Sequence, residues 1–257
     1  MNDKQMLSVR VVPVLQDNYS YIISNGKGAY VVDPPELLPV REALGALSLE
    51  GILLTHKHGD HVAGVCDLVS LYGGERVSVY GPRHDGAIEG MTSPLADGET
   101  LDIWGDKVVV MAVCGHTKGH IAYYMEGLEA LFCGDCLFSM GCGRVFEGTY
   151  EDMWRSLCRL RALPDRTRVY CGHEYTLANG AFACAYDKEN DALKERVRSM
   201  EALRGAGQPT LPVFLGDEKR TNPFLRADDD ALKRALSMED ASALDVFSFL
   251  RDRRNAW

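Results

Sequence analysis

Five of the chain's seven histidines belong to one pattern of chemistry-bearing residues. Thr55-His56-Lys57-His58-Gly59-Asp60-His61 puts three of them and an aspartate into one short stretch. His116 and His173 follow singly, with Asp135 between them. His56, His58, Asp60, His61, His116, Asp135 and His173 are seven candidate ligands, enough for two metal ions that share a bridging carboxylate. A structural zinc site closes on four ligands, usually with thiolates among them. A set of imidazoles and carboxylates this large points to an open catalytic site that can hold hydroxide. His56 and His58 are two apart, so in an extended loop they lean to the same side. One loop can then serve two ions: His56 and His58 on one, Asp60 and His61 on the other. His116 completes the first, His173 the second, and Asp135 bridges them.

Other motifs read more plainly. His120 begins a strand as a packing or supporting residue, and His84 lies at the surface. Cys133-Gly134-Asp135-Cys136 is a C-x-x-C without a partner motif, so its cysteines read as buried and structural. Gly141-Cys142-Gly143-Arg144 is a weak phosphate-cradle signal and reads better as a backbone bend.

The elements that must position these residues alternate over the first two thirds of the chain. Strand signals cover Val9–Leu15, Ser20–Ser24, Ala29–Val32, Gly51–Leu54, Val77–Tyr80, Lys107–Val113, Ile121–Met125, Ala130–Cys133 and Arg168–Cys171. Helix signals cover Leu38–Leu47, Val62–Leu71 and Tyr150–Leu163. Each candidate ligand segment falls just past the carboxyl end of a strand, where loops of layered α/β folds converge. After about residue 175 the strand signals stop. Ala192–Leu203, Asp230–Met238 and Ala241–Arg254 read as helices, with 205–212 and 216–224 as loops. The switch places a domain boundary between 174 and 175.

Bulk properties narrow the function classes. The 257 residues carry a formal net charge of -9, which excludes a whole-molecule basic field for nucleic acid. No stretch approaches a membrane span. Met1 to Met6 shows no apolar leader, so the chain reads as cytoplasmic. In that compartment its eight cysteines are expected to be free. We read the chain as a monomer acting on a small molecule, with no nucleic acid and no membrane partner. An anionic substrate requires a local basic patch against the global sign.

With T-H-x-H-x-D-H, His116, Asp135 and His173 in place, the chain resembles the metallo-β-lactamase fold superfamily. Asp33-Pro34, the run Gly141 to Thr149, Cys171-Gly172-His173-Glu174-Tyr175-Thr176 and Arg220-Thr221-Asn222-Pro223-Phe224-Leu225-Arg226 are similar to glyoxalase II, the hydroxyacylglutathione hydrolases, nearly end to end. The resemblance implies an αββα sandwich of two mixed β-sheets flanked by helices, plus a C-terminal α-helical domain. Residues 1–174 would be the metal-binding catalytic domain and 175–257 the glutathione-binding domain.

It implies two divalent metal ions, zinc first, with iron or manganese as alternatives. It also implies a glutathione grip formed by Arg144, Phe146, Tyr175, Arg251 and Arg254. The last two are three apart and share a helix face. Three positions depart from the family pattern: Gly59 replaces a common aromatic, Phe146 a tyrosine found in some members, and Arg254 the usual lysine. The implied reaction is hydrolysis of S-2-hydroxyacylglutathione, typically S-D-lactoylglutathione, to glutathione and D-lactate in methylglyoxal detoxification. Hydroxide held between the metals is the nucleophile, with Asp60 and Asp135 as the catalytic carboxylates. The alternatives are a mononuclear-iron glutathione persulfide dioxygenase of the same fold and a non-catalytic metal-binding protein.

Overall fold

The computed structural model describes residues 7–73 and 76–257. Met1 to Met6, read above for a leader, lies outside them. The chain divides into two compact units. The first holds the described residues up to Ala112 and Gly119–Gly134; the second holds Val113–Lys118 and Asp135–Trp257.

The first unit opens with the antiparallel strands β1 (Ser8–Val14), β2 (Asn18–Ser24) and β3 (Gly28–Val32). Helix α1 (Leu37–Leu44) leads to β4 (Ser48–Leu53), and α2 (Gly59–Val62) and α3 (Val65–Tyr72) lead to β5 (Ser78–Pro82) and β6 (Ser93–Leu95). These later strands add in parallel, giving a mixed sheet in the order β1-β2-β3-β4-β5-β6. The strands β7 (Thr100–Ile103), β8 (Asp106–Ala112), β9 (Ile121–Met125) and β10 (Ala130–Gly134) pair antiparallel in sequence order.

Val12, Ile22, Val31, Ile52 and Val79 of the first sheet pack with Val40 and Leu44 of α1 and Val65 and Leu68 of α3. Each such side chain contributes roughly 1.5–3 kcal/mol by leaving water. The two sheets of this unit meet through Tyr123, whose hydroxyl donates to the Leu54 carbonyl at 2.8 Å. Tyr21 and Phe132 add a tilted ring pair 5.7 Å apart.

The second unit contains a hairpin of β11 (Leu137–Phe138) and β12 (Gly141–Cys142), then α4 (Tyr150–Arg161) and β13 (Arg168–Cys171). It continues with α5 (Thr176–Tyr186), α6 (Asp191–Gly205), β14 (Val213–Phe214), α7 (Leu215–Thr221), α8 (Asp230–Leu236) and α9 (Ala243–Asn255). Capping boxes start α4 at Thr149 and Asp152, and α9 at Ser242 and Asp245. Phe224 joins the helices, with Phe182 of α5 5.9 Å away and Phe247 of α9 6.0 Å away.

The structure corrects several expected elements. The single helix expected over Val62–Leu71 is two helices broken at Gly64. A Cβ there would lie 2.7 Å from the Glu36 backbone, so the bend needs glycine. The loop expected over 216–224 begins as helix α7, because the fully buried Glu218 is held by Arg196 and by the Met140 amide. Tertiary pairing overrides the local loop signals there. A short strand, β14, follows the point where strand signals stop; its pairing with β13 is set by a partner some 45 residues earlier (Arg168↔Phe214, Val169↔Val213). Helix α5 had no expectation at all. No helix among the described residues is long and apolar enough to cross a membrane.

All eight cysteines are free, and Cys133, Cys136, Cys142 and Cys171 are buried. Burial pushes the thiols of Cys136, Cys142 and Cys171 up, so little thiolate forms near neutral pH. With a thiol reagent and peptide mapping, the exposed Cys66 should label first and the four buried cysteines only in denaturant. Labelling of Cys136 or Cys171 in native protein as fast as Cys66 would contradict this packing.

Candidate metal centre and anion-binding cavity

The histidine loop leaves the end of β4 and is fixed by two buried aspartates. Asp33, just past β3, holds a left-handed φ of 47°, a conformation that aspartate tolerates better than most residues. Its Oδ1 accepts from the Thr55 amide at 2.8 Å, and its Oδ2 from the Thr55 hydroxyl at 2.6 Å. The same Oδ2 faces His61 Nδ1 at 3.0 Å. Since the Thr55 hydroxyl donates to Asp33, it accepts from His56 Nδ1, 3.1 Å away. Asp33 therefore places the ring proton on Nδ1 of both His61 and His56, directly in one case and through Thr55 in the other. Each ring then carries its lone pair on Nε2.

Asp85 accepts from the amides of Lys57 and Gly119, both at 2.9 Å, and so ties the loop to the approach of His120. His120 is fully buried and stacks on His56 at 4.6 Å. His56 Nε2 lies 3.1 Å from His58 Nδ1. His61 Nε2 lies 3.7 Å from Asp60 Oδ2, which also accepts from Asn18 Nδ2 at 3.0 Å. Gly59 faces open space: a Cβ there would meet nothing within 4 Å. His84 is exposed.

In the second unit His116, Asp135 and His173 are 4–6% exposed. His116 Nε2 and His173 Nε2 approach the same Asp135 Oδ2, at 3.5 and 3.3 Å. His116 Nδ1 donates to the Arg144 carbonyl at 2.8 Å, which again leaves Nε2 with the lone pair. His173 stacks on Tyr175, with ring centroids 4.6 Å apart and planes 6° from parallel. Gly143 backs this cluster closely: a Cβ would fall 1.8 Å from the Asp135 carbonyl oxygen and 3.3 Å from His116 Nδ1.

Both groups suit a divalent cation. Ligand atoms 2.0–2.1 Å from a tetrahedral zinc lie about 3.3–3.4 Å from one another. Separations of 3.3 and 3.5 Å from Asp135 Oδ2 match that spacing. Lone-pair nitrogens facing carboxylate oxygens repel one another until a cation sits among them.

A cavity of about 340 Å³ in the second unit is lined by His116 and Asp135 together with Arg144, Phe146, Tyr175, Arg251 and Arg254. Phe138, Cys142 and Asn179 complete its wall. Arg254 donates from Nε and one terminal nitrogen to Asn179 Oδ1, at 3.3 and 3.2 Å. Its pKa is pulled below the ordinary arginine value by burial first, then by Arg251 and Arg144. The cavity thus concentrates three like charges in an acidic protein, and a bound anion would relieve their repulsion. Arg251 is 4% exposed and donates to the carbonyls of Cys142 at 2.8 Å and Gly143 at 3.3 Å. Phe146 is exposed, with the Arg144 guanidinium 5.8 Å from its ring centroid.

The supporting residues Thr55, Asp85 and Asn179 carry no functional signal in the sequence, and Asp33 carries one only within a family motif. The signal available for Asp33 was an aspartate followed by proline at a strand end.

Residues 14–173 match the metallo-beta-lactamase superfamily, which defines the class of fold and site. Residues 174–257 match the family described as hydroxyacylglutathione hydrolase C-terminus. The hydroxyacylglutathione hydrolase of Dechloromonas aromatica is 44% identical over 98% of this chain and all of its own length. The chain belongs to the hydroxyacylglutathione hydrolase family of the metallo-beta-lactamase superfamily. Among solved structures, ETHE1 from Myxococcus xanthus shares the fold, with TM-score 0.67, 22% identity, and 97% of this chain and 91% of that one covered. A protein solved in a di-iron-bound form is 26% identical, with TM-score 0.58 and 83% and 98% of the two chains covered.

Asp33→Asn should leave the fold intact but scramble the proton placement on His56 and His61. Metal affinity measured by chelator competition should fall roughly 10- to 100-fold, the usual cost of losing such a supporting contact. Unchanged affinity would show that Asp33 does not orient the pair. Gly143→Ala should destabilise the protein by about 1–3 kcal/mol in denaturant unfolding, because the methyl group meets a backbone oxygen.

Proposed function

We propose that the chain is a dinuclear-metal hydrolase of S-2-hydroxyacylglutathione, with S-D-lactoylglutathione as the representative substrate. The products are glutathione and a 2-hydroxy acid, D-lactate. The reading rests on one observation above the rest: two candidate ligands, His116 and Asp135, line the same cavity as three arginines. Such a cavity suits an anionic tripeptide whose acyl end reaches the ligand pair. The curated relatives carry the name of this activity, which supports the same reading.

His56, His58 and His116 are the proposed ligands of one ion, and Asp60, His61 and His173 those of the other, with Asp135 shared. The metals are two divalent ions, zinc by preference and iron or manganese as alternatives; a relative of this fold solved with two irons supports a pair. When bound, such ions supply Lewis acidity and a water of lowered pKa.

The chain's own residues do the rest. Arg144 and Arg254 bind carboxylate through charge-assisted hydrogen bonds, and Arg251 adds its charge to theirs. Tyr175, stacked on His173, and Phe146 flank the thiol carrier. Asp60, held by Asn18, orients the attacking water. The water oxygen bonds to the acyl carbon, the carbon–sulfur bond breaks, and the departing sulfur takes a proton. In this proposal residues 1–174 form the catalytic domain and 175–257 the substrate-binding domain of a cytoplasmic monomer.

The test is release of thiol from S-D-lactoylglutathione by zinc-loaded protein, with a chelated control. Rapid chelator-sensitive release is expected. Asp135→Ala should lower turnover by roughly a thousandfold or more. Arg254→Met should raise KM by about tenfold or more with kcat little changed, as one charged hydrogen bond is lost. Oxygen uptake with glutathione persulfide and no thioester cleavage would replace the proposal with a dioxygenase. Tight metal binding without turnover on either substrate would leave a non-catalytic binding protein.

A further inference from the structure

Buried polar side chains are costly unless each is hydrogen bonded. The helices of the second unit nonetheless carry five of them to a single hairpin. Asn179 of α5 donates to the Ser139 carbonyl at 3.1 Å. Arg196 of α6 donates to the Ser139 hydroxyl at 3.1 Å and pairs with Glu218. Glu218 of α7 accepts from the Met140 amide at 2.9 Å. Asn222, at the end of α7, donates to the carbonyls of Phe138 and Gly141 at 3.1 and 2.9 Å. Arg251 of α9 takes the next two carbonyls, those of Cys142 and Gly143. Each residue from 138 to 143 is therefore held by a side chain from the helices. One of them, Met140, is kept at a φ of 54°, which non-glycine residues rarely adopt.

The far side of this hairpin is the wall of the ligand pair. The Gly143 amide donates to the Cys136 carbonyl at 3.1 Å, beside Asp135. The Gly143 Cα leaves no room for a side chain against the Asp135 backbone. The next residue, Arg144, supplies the carbonyl that fixes the proton on His116.

We propose that Arg251 is a positioning residue for the metal centre. By holding the carbonyls of Cys142 and Gly143, it keeps residues 143–144 against Asp135 and His116. Its side chain is almost fully buried, and one terminal nitrogen is already committed to the backbone. Arg254, one turn later, makes its hydrogen bonds to Asn179 and none to the loop at 142–144 among the described residues. Both arginines bring charge to the cavity, and Arg251 alone also holds the loop behind the ligand pair. This inference rests on the reading that His116 and Asp135 hold metal.

The experiment compares wild type, Arg251→Lys, Arg251→Met and Arg254→Met, each loaded with zinc and free of thioester substrate and thiol. Metal transfer to a chromogenic chelator gives the release rate, and thermal unfolding verifies that each variant is folded. Both Arg251 variants should release zinc about 10- to 100-fold faster than wild type. Lysine should not rescue, because its ammonium stops one bond short of the terminal nitrogen that bridges the Cys142 and Gly143 carbonyls. Arg254→Met should release zinc at the wild-type rate while its KM rises. Wild-type release rates in Arg251→Lys and Arg251→Met, with only KM altered, would overturn the inference and leave Arg251 as an anion-binding residue. Wild-type protein that takes up no zinc, iron or manganese would overturn the metal-centre reading and this inference with it. Should Arg251→Met fail to fold, Arg251→Lys decides, since it keeps the charge over the Phe224 ring.

Discussion

A buried imidazole offers its lone pair from a fixed nitrogen in a fixed direction when the proton on its other nitrogen has an acceptor. The buried part of this structure is arranged around that requirement. Asp33 meets it for His61 directly and for His56 through Thr55. The Arg144 carbonyl meets it for His116. The carboxylate and the carbonyl that fix these protons lie outside the histidine loop, with Thr55 relaying one of them. They come from the end of another strand and from the far arm of a hairpin.

The same logic explains the polar interior of the helical region. A two-residue hairpin whose turn contains a left-handed methionine leaves amides and carbonyls outside its own pairing. Water could satisfy them but would let the hairpin move. Side chains from α5, α6, α7 and α9 satisfy them without that freedom. Charge-assisted bonds such as those of Glu218 and Arg251 hold geometry more tightly than neutral ones. Their burial adds little net stability, since desolvation offsets most of the attraction. Their contribution is the shape of the wall behind His116 and Asp135.

The candidate ligands stand out in the sequence because their signal is local. Alternation within residues 56–60 and position after a strand can both be read without tertiary knowledge, and the structure puts His56 after β4, His116 after β8, Asp135 after β10 and His173 after β13. The supports were not legible, because each acts across a long separation. Asp33 meets Thr55 and His61 at separations of 22 and 28 residues. Arg251 meets Cys142 at a separation of 109. Helix α7 was hidden for the same reason: its glycine and proline surroundings read as loop, and only the burial of Glu218 against Arg196 makes it helical.

Charge shows how far a bulk property misleads without placement. A net charge of -9 predicts repulsion of anions, yet one cavity gathers Arg144, Arg251 and Arg254 with few carboxylates among its lining residues. Burial, and then repulsion by Arg251 and Arg144, lowers the proton affinity of Arg254, and a bound carboxylate would offset it. The acidic exterior then acts on specificity. In the proposed reading small anions gain nothing from the surface at large and would be recognised in the cavity, where the arginines and the candidate ligand pair suit a molecule that is anionic at one end and reactive at the other.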